Sequence, residues 1–118
     1  MNQTQAVTLL SALGNETRLN VFRYLTRFGP DGVAAKQIAR AIGVAPNSLS
    51  FHLKDLKHAG LVVTRRAGRE VHYAVDYAAT HTLVAYLIEH CCEDAPEGCP
   101  PACRPQGQCG PSSADDAK

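Results

Sequence analysis

The stretch Gly43-Val44-Ala45-Pro46-Asn47-Ser48-Leu49-Ser50-Phe51-His52-Leu53-Lys54-Asp55-Leu56-Lys57-His58-Ala59-Gly60 decides how the rest of the chain is read. Leu49, Leu53 and Leu56 recur at i, i+4 and i+7, the spacing of one apolar helix face. Pro46 suits a first helical position, where an amide proton would find no partner, and Gly60 suits the residue just past the end. The other side of this helix carries Asn47, Ser48, Ser50, Phe51 and Lys54, with Lys57 and His58 further along. One face is therefore built for a core, and the other offers short polar groups and cations.

Upstream, Gly43-Val44-Ala45 is a tight turn, and Ala34 to Ile42 reads as a shorter helix with Ile38, Ala39 and Ile42 apolar. Gly29-Pro30-Asp31-Gly32 is a strong turn before it. Two further helices precede that turn. Gln5 to Leu13 carries Ala6, Leu9, Leu10 and Leu13, and Glu16 to Phe28 carries Leu19, Phe22 and Leu25, with Val21 beside them. Downstream, Leu61 to Thr64 is rich in β-branched residues, and Val71, Tyr73 and Val75 alternate with Glu70, His72 and Ala74. Arg66-Ala67-Gly68-Arg69 between them reads as a hairpin tip. A last helix is expected from Tyr77 to His90, with Leu83, Val84, Leu87 and Ile88 on one stripe.

Helix, short turn, helix and hairpin follow one another in the order of a winged helix-turn-helix. The fold class expected is mainly α with a small β-hairpin. Asn47, Ser48 and Ser50 stand near a helix N-terminus, where short polar side chains reach base edges in a major groove. Lys54 would contact phosphate, as would Arg65, Arg66 and Arg69 around the hairpin, where minor-groove entry is the alternative. Phe51 would touch a thymine methyl or pack beside the hairpin.

The net charge of +1 conceals a local imbalance. Lys54, Lys57, Arg65, Arg66 and Arg69 face only Asp55 between Pro46 and Arg69. After Cys91, the acids Glu93, Asp94, Glu97, Asp115 and Asp116 face Arg104 and Lys118. A basic middle beside an acidic end points to a nucleic-acid face confined to part of the chain. No apolar run reaches the ~20 residues of a membrane span. Met1-Asn2-Gln3-Thr4 lacks the basic and apolar regions of a secretory signal, so a cytoplasmic protein with no membrane partner is expected.

Cys91, Cys92, Cys99, Cys103 and Cys109 all lie in the last quarter, among Pro96, Pro100, Pro101, Pro105, Pro111 and several glycines. The expected organisation is a DNA-binding and dimerisation domain over 1–90 and a Cys/Pro/Gly-rich tail over 91–118. An odd number of thiols without a secretory signal argues against a disulfide framework. A thiolate site for a soft ion and a redox sensor are both open readings. Trivalent arsenic or antimony takes three thiolates in a pyramid; a four-sulfur zinc site, Cd(II) or Cu(I) would accept the same ligands. A small thiol enzyme or metal carrier is a further alternative. Enzymes need an enclosed, activated nucleophile, which cysteines in a proline-rich tail do not supply. The chain is therefore read as no enzyme, with no organic cofactor.

The run Asn47 to Val62, followed by Arg65-Arg66-Ala67-Gly68-Arg69, resembles the ArsR/SmtB family of metal- and metalloid-responsive repressors. Leu13-Gly14-Asn15-Glu16-Thr17-Arg18-Leu19 is similar to the family's motif at the start of its second helix. The resemblance covers about residues 5 to 90. It implies a homodimer joined through the first and last helices, bound to double-stranded operator DNA with twofold symmetry. It also implies a repressor on the promoter of a resistance operon, released when As(III) or Sb(III) binds as inducer. Ala45 stands where many relatives place a capping serine, and the third helix lacks the Cys-x-Cys of some arsenic sensors. Asp76, His81 and His90 only partly follow the zinc-site pattern. Some relatives place their metalloid cysteines at the end of the last helix, a likeness that carries over to Cys91, Cys92 and Cys99. Cys103 and Cys109 would be additional ligands.

Overall fold

The computed structural model describes residues 1–98. These residues divide into two compact units, Met1–Tyr86 and a second beginning at Leu87. The first holds α1 (Gln3–Leu13), α2 (Glu16–Leu25), β1 (Val33–Ala34), α3 (Ala35–Ile42), α4 (Pro46–Ala59), β2 (Val62–Ala67), β3 (Glu70–Val75) and nearly all of α5 (Tyr77–Leu87). The architecture is a winged helix-turn-helix: a helical core with a three-stranded antiparallel sheet in the order β1-β3-β2.

Each helix begins and ends for a local reason. Asn2 and Gln5 form a capping box, each side chain accepting the other's backbone N–H at 2.8 Å, so α1 starts two residues before the apolar pattern does. Asn15 caps α2 by accepting from Arg18 N at 3.0 Å. Glu16 to Phe28, expected as one helix, is helical only to Leu25; Arg27 and Phe28 donate to carbonyls three residues back, the tightened geometry of a helix end. Asp76 caps α5, its Oδ1 accepting from Ala79 N at 3.0 Å. The same helix ends at Leu87 rather than His90, with turns beyond it.

The core lies between the helices and the sheet. Val21, Leu25, Ile38, Leu49, Leu53, Leu56, Leu61 and Val62 are its most deeply buried large side chains. The three leucines of α4 are buried as their spacing requires. In α2, Val21 takes the core position while Leu19 is exposed, because the buried arc centres on Val21, Phe22 and Leu25. Leu83 is the buried residue of α5, whereas Val84, Leu87 and Ile88 are exposed. The expected stripe therefore does not pack as one face against the core.

β1 was not foreseen, because two residues carry too little pattern. Val33 and Ala34 pair with Tyr73 and His72. Gly32 makes this approach possible: at φ 75, a Cβ there would lie 2.5 Å from the Tyr73 carbonyl oxygen. The wing is longer than its sequence suggests. Arg65 and Arg66 lie inside β2, paired with His72 and Val71, so the tip is only the Gly68-Arg69 turn. Gly68 takes the first central position at φ 67, where glycine is favoured.

Candidate nucleic-acid interface

Three residues, Gly43 to Ala45, separate α3 from α4. A linker this short fixes the two helices as one helix-turn-helix unit. Pro46 occupies the first turn of α4, and Ala45 offers no side-chain cap. The uncapped first turn presents amides and the positive end of the helix dipole, both suited to a phosphate oxygen.

Every side chain expected to meet DNA is exposed. Asn47, Ser48, Ser50, Phe51 and Lys54 all face solvent, opposite Leu49, Leu53 and Leu56. At about 100° per residue, Asn47, Ser50, Phe51 and Lys54 share one arc of α4 and Ser48 stands at its flank. Phe51 is 69% exposed, so it does not pack beside the hairpin. A large ring held outward among small polar groups suits apolar contact with a thymine methyl.

The wing arginines are not equivalent. Successive residues of a strand face opposite sides of the sheet, so Arg65 and Arg66 cannot share one surface. Arg65 reaches back to the loop before β1, its Nη1 lying 3.2 Å from Asp31 Oδ1 and 3.4 Å from the Asp31 carbonyl oxygen. Arg66 and Arg69 make no ion pair among the described residues and are exposed. They are the freer cations of the wing.

Arg18 was overlooked as a positioning residue, although it lies in the motif that opens α2. Its Nε donates to the Ala12 carbonyl at 2.6 Å, and its Nη1 lies 3.3 Å from Asp55 Oδ2. The side chain is only 20% exposed and so ties the end of α1 to α4. The pair also occupies Asp55, the one acid on α4. A lone acid within a basic helix was the available signal.

A second exposed surface is apolar. Val7 and Leu10 on α1 and Val84 on α5 are each 43% to 53% exposed. Large apolar side chains left in solvent on two helices of one unit suit a protein partner rather than water.

In the second unit, the Cys91 and Cys92 sulfurs lie 3.8 Å apart and both residues are half-buried. Cys92 adopts a left-handed backbone at φ 58. His90 Nδ1 pairs with Glu93 Oε2 at 2.9 Å; that hydrogen bond, with the charges of Glu93 and Glu89, raises the His90 pKa above its ordinary value. Among the described residues, no group of three or more His, Cys, Asp or Glu is arranged to hold a metal ion. Cys99, Cys103 and Cys109 lie outside the described residues. Asp76, the acid nearest to a zinc pattern, is engaged in capping α5.

Residues 13–65 match the sequence profile described as a helix-turn-helix domain. Over 71 residues the chain is 37% identical to the HTH-type transcriptional regulator NmtR of Mycobacterium tuberculosis, a match covering 60% of this chain and 57% of that protein. It is 35% identical over 65 residues to the putative arsenical resistance operon repressor ArsR2 of Halobacterium salinarum, covering 55% and 54%. The chain thus spans little more than half the length of these relatives. Among solved structures, it resembles the homodimeric winged helix-turn-helix DNA-binding domain of a possible ArsR-family regulator from Mycobacterium bovis. That likeness has a TM-score of 0.61 and 26% identity, and covers 75% of this chain and 82% of the other. These proteins are named as a transcriptional regulator, a putative repressor and a possible ArsR-family regulator. No helix among the described residues is long and apolar enough to cross a membrane.

Proposed function

We propose that this protein is a cytoplasmic, homodimeric repressor of the ArsR type that holds operator DNA and releases it when As(III) or Sb(III) binds its C-terminal cysteines. The observation that carries the DNA reading is α4. It buries Leu49, Leu53 and Leu56 and holds Asn47, Ser48, Ser50, Phe51 and Lys54 outward from a three-residue turn. Bases are read by the amide and hydroxyls, while Lys54, Arg66 and Arg69 contact phosphates. Arg65 joins them when it exchanges Asp31 for DNA.

The dimer is supported by the exposed apolar residues of α1 and α5, and the similar Mycobacterium bovis domain is described as homodimeric. Val7 and Leu10 with Val84 form the seam. Leu83 takes no part, because it is already buried within one chain. Two recognition helices related by a twofold axis then meet successive major grooves, about one helical turn apart.

Cys91 and Cys92 begin the inducer site, and Cys99, Cys103 or Cys109 completes it. Three thiolates match the pyramidal preference of the trivalent metalloids. A thiol already 3.8 Å from its neighbour needs little rearrangement to share an ion. That same closeness favours the second reading, a redox repressor that forms disulfides among these cysteines. Zn(II), Cd(II) or Cu(I) is the alternative ion.

The deciding experiment is binding of the full chain to a duplex selected by it from a random library. It is run with arsenite, antimonite, zinc, cadmium, Cu(I) and hydrogen peroxide in turn. Release by the metalloids alone is expected. Release by peroxide alone would select the redox reading, and absence of duplex binding would remove the DNA reading.

A further inference from the structure

The basic charge of the first unit is not confined to α4 and the wing. Arg23 and Arg27 stand at i, i+4 around the end of α2, and Lys36 and Arg40 stand at i, i+4 on α3. All four are exposed, and none makes an ion pair among the described residues. The acids of this unit are elsewhere: Asp31 faces Arg65, Asp55 faces Arg18, Glu70 faces His72, Asp76 caps α5, and Glu16 lies in the first turn of α2. Like charges four residues apart on a helix repel, so the unneutralised Lys36–Arg40 pair on α3 carries a cost.

Between α2 and α3 lies a groove of about 530 Å³, lined by Asn20, Arg23, Tyr24, Thr26, Arg27 and the α3 residues Ala41 and Ile42. Its donors are held in place. The Arg27 guanidinium lies 5.5 Å from the Tyr24 ring centroid and 5.6 Å from that of Phe28. The Tyr24 hydroxyl accepts from Gln37 Nε2 at 3.2 Å, leaving its own proton to donate. No carboxylate lines the groove.

Helix dipoles explain only part of this pattern. Arg23 and Arg40 lie in the last turns of α2 and α3, where a cation offsets the negative helix end. Lys36 lies in the first turn of α3, where the dipole opposes a cation, and Ala34 supplies no side-chain cap there. A cation beside uncapped amides is suited to a phosphate oxygen.

We infer that the ridge of Arg23, Arg27, Lys36 and Arg40 is a second DNA-contacting surface, which takes backbone phosphates flanking the segment read by α4. The inference rests on the DNA-binding reading and extends its footprint. In helix-turn-helix docking the first helix crosses the sugar-phosphate backbone, and here that helix is α3. Ile42 precedes Pro46 by four residues, a span of at most about 14 Å. With the major groove about 12 Å wide, its phosphate edge falls within that reach.

The test is a salt titration of the full chain on its selected duplex, extended by about one helical turn at each end. Arg23→Gln/Lys36→Gln/Arg40→Gln should reduce the slope of log affinity against log salt by about two to three units. Base preference should be unchanged, and Arg23→Lys/Arg40→Lys should keep the wild-type slope. Arg27 is left intact because its stacking is structural. An unchanged slope in the triple variant overturns the surface, and a fall in Tm with that unchanged slope would assign the arginines to helix ends alone. Wild-type protein that binds no duplex overturns the DNA reading itself, and this surface with it.

Discussion

Residues Met1–Tyr86 and the unit that begins at Leu87 are built on different principles. All the buried apolar side chains of the described chain, from Ala6 to Leu83, belong to the first. In the second, no residue whose exposure is described is buried, and Cys91 and Cys92 are its half-buried side chains. The first unit is stabilised by desolvated leucine, valine and isoleucine, so its surface is free to carry recognition chemistry. The second has thiols and carboxylates instead, the groups on which the proposed inducer site rests. DNA binding and inducer binding should therefore be separable by mutation.

The largest effect breaks the first unit alone. Leu53→Ala deletes a fully buried side chain of α4 and should cost about 2–5 kcal/mol. Thermal or denaturant unfolding measures it, and duplex binding should fail at temperatures where wild type is folded. A cost below about 1 kcal/mol would mean that α4 is not anchored as described.

Next comes assembly. Val84 is 50% exposed within one chain, so Val84→Asp should leave the fold intact. A charge in a dry dimer seam is strongly unfavourable, and sedimentation should show monomer. A variant that remains dimeric at low micromolar concentration would move the seam to another face.

Smaller still is the loss of the wing cations. Arg66→Ala/Arg69→Ala should lower the salt slope of duplex binding by about two units while leaving base preference and arsenite affinity alone. An unchanged slope would remove the wing from the interface. The smallest effect belongs to Asp31→Asn. An exposed ion pair contributes at most about 1 kcal/mol, so freeing Arg65 should raise duplex affinity by no more than about fivefold. A fall in affinity would show that Asp31 orients Arg65 towards DNA instead of competing for it.

The legibility of this molecule follows the length of its patterns. α4 was readable to its end residues, because Leu49, Leu53 and Leu56 repeat over three turns and Pro46 and Gly60 mark the ends. β1 was not, since Val33 and Ala34 pair only because Gly32 lets the chain approach Tyr73. Leu19 and Val21 are both apolar on α2, and only tertiary packing decides which is covered. The exposure of Asn47, Ser48, Ser50, Phe51 and Lys54 was legible as the complement of a buried stripe. The Arg65–Asp31 contact was not, because it joins residues 34 positions apart through a strand pairing that the sequence does not display. For the ion site, the thiols are visible in composition, but Cys99, Cys103 and Cys109 lie outside the described residues.

The central claim is that one region holds DNA and the other controls its release. The most direct measurement is arsenite titration of the duplex-bound Cys91→Ser/Cys92→Ser variant, full length, beside wild type. Wild type should lose affinity roughly 5- to 150-fold on saturation, the range of an allosteric coupling of ~1–3 kcal/mol. The variant should bind the ion-free duplex as tightly as wild type and keep that affinity at every arsenite concentration. Normal release by the variant would contradict the account and place the sensor beyond the vicinal pair.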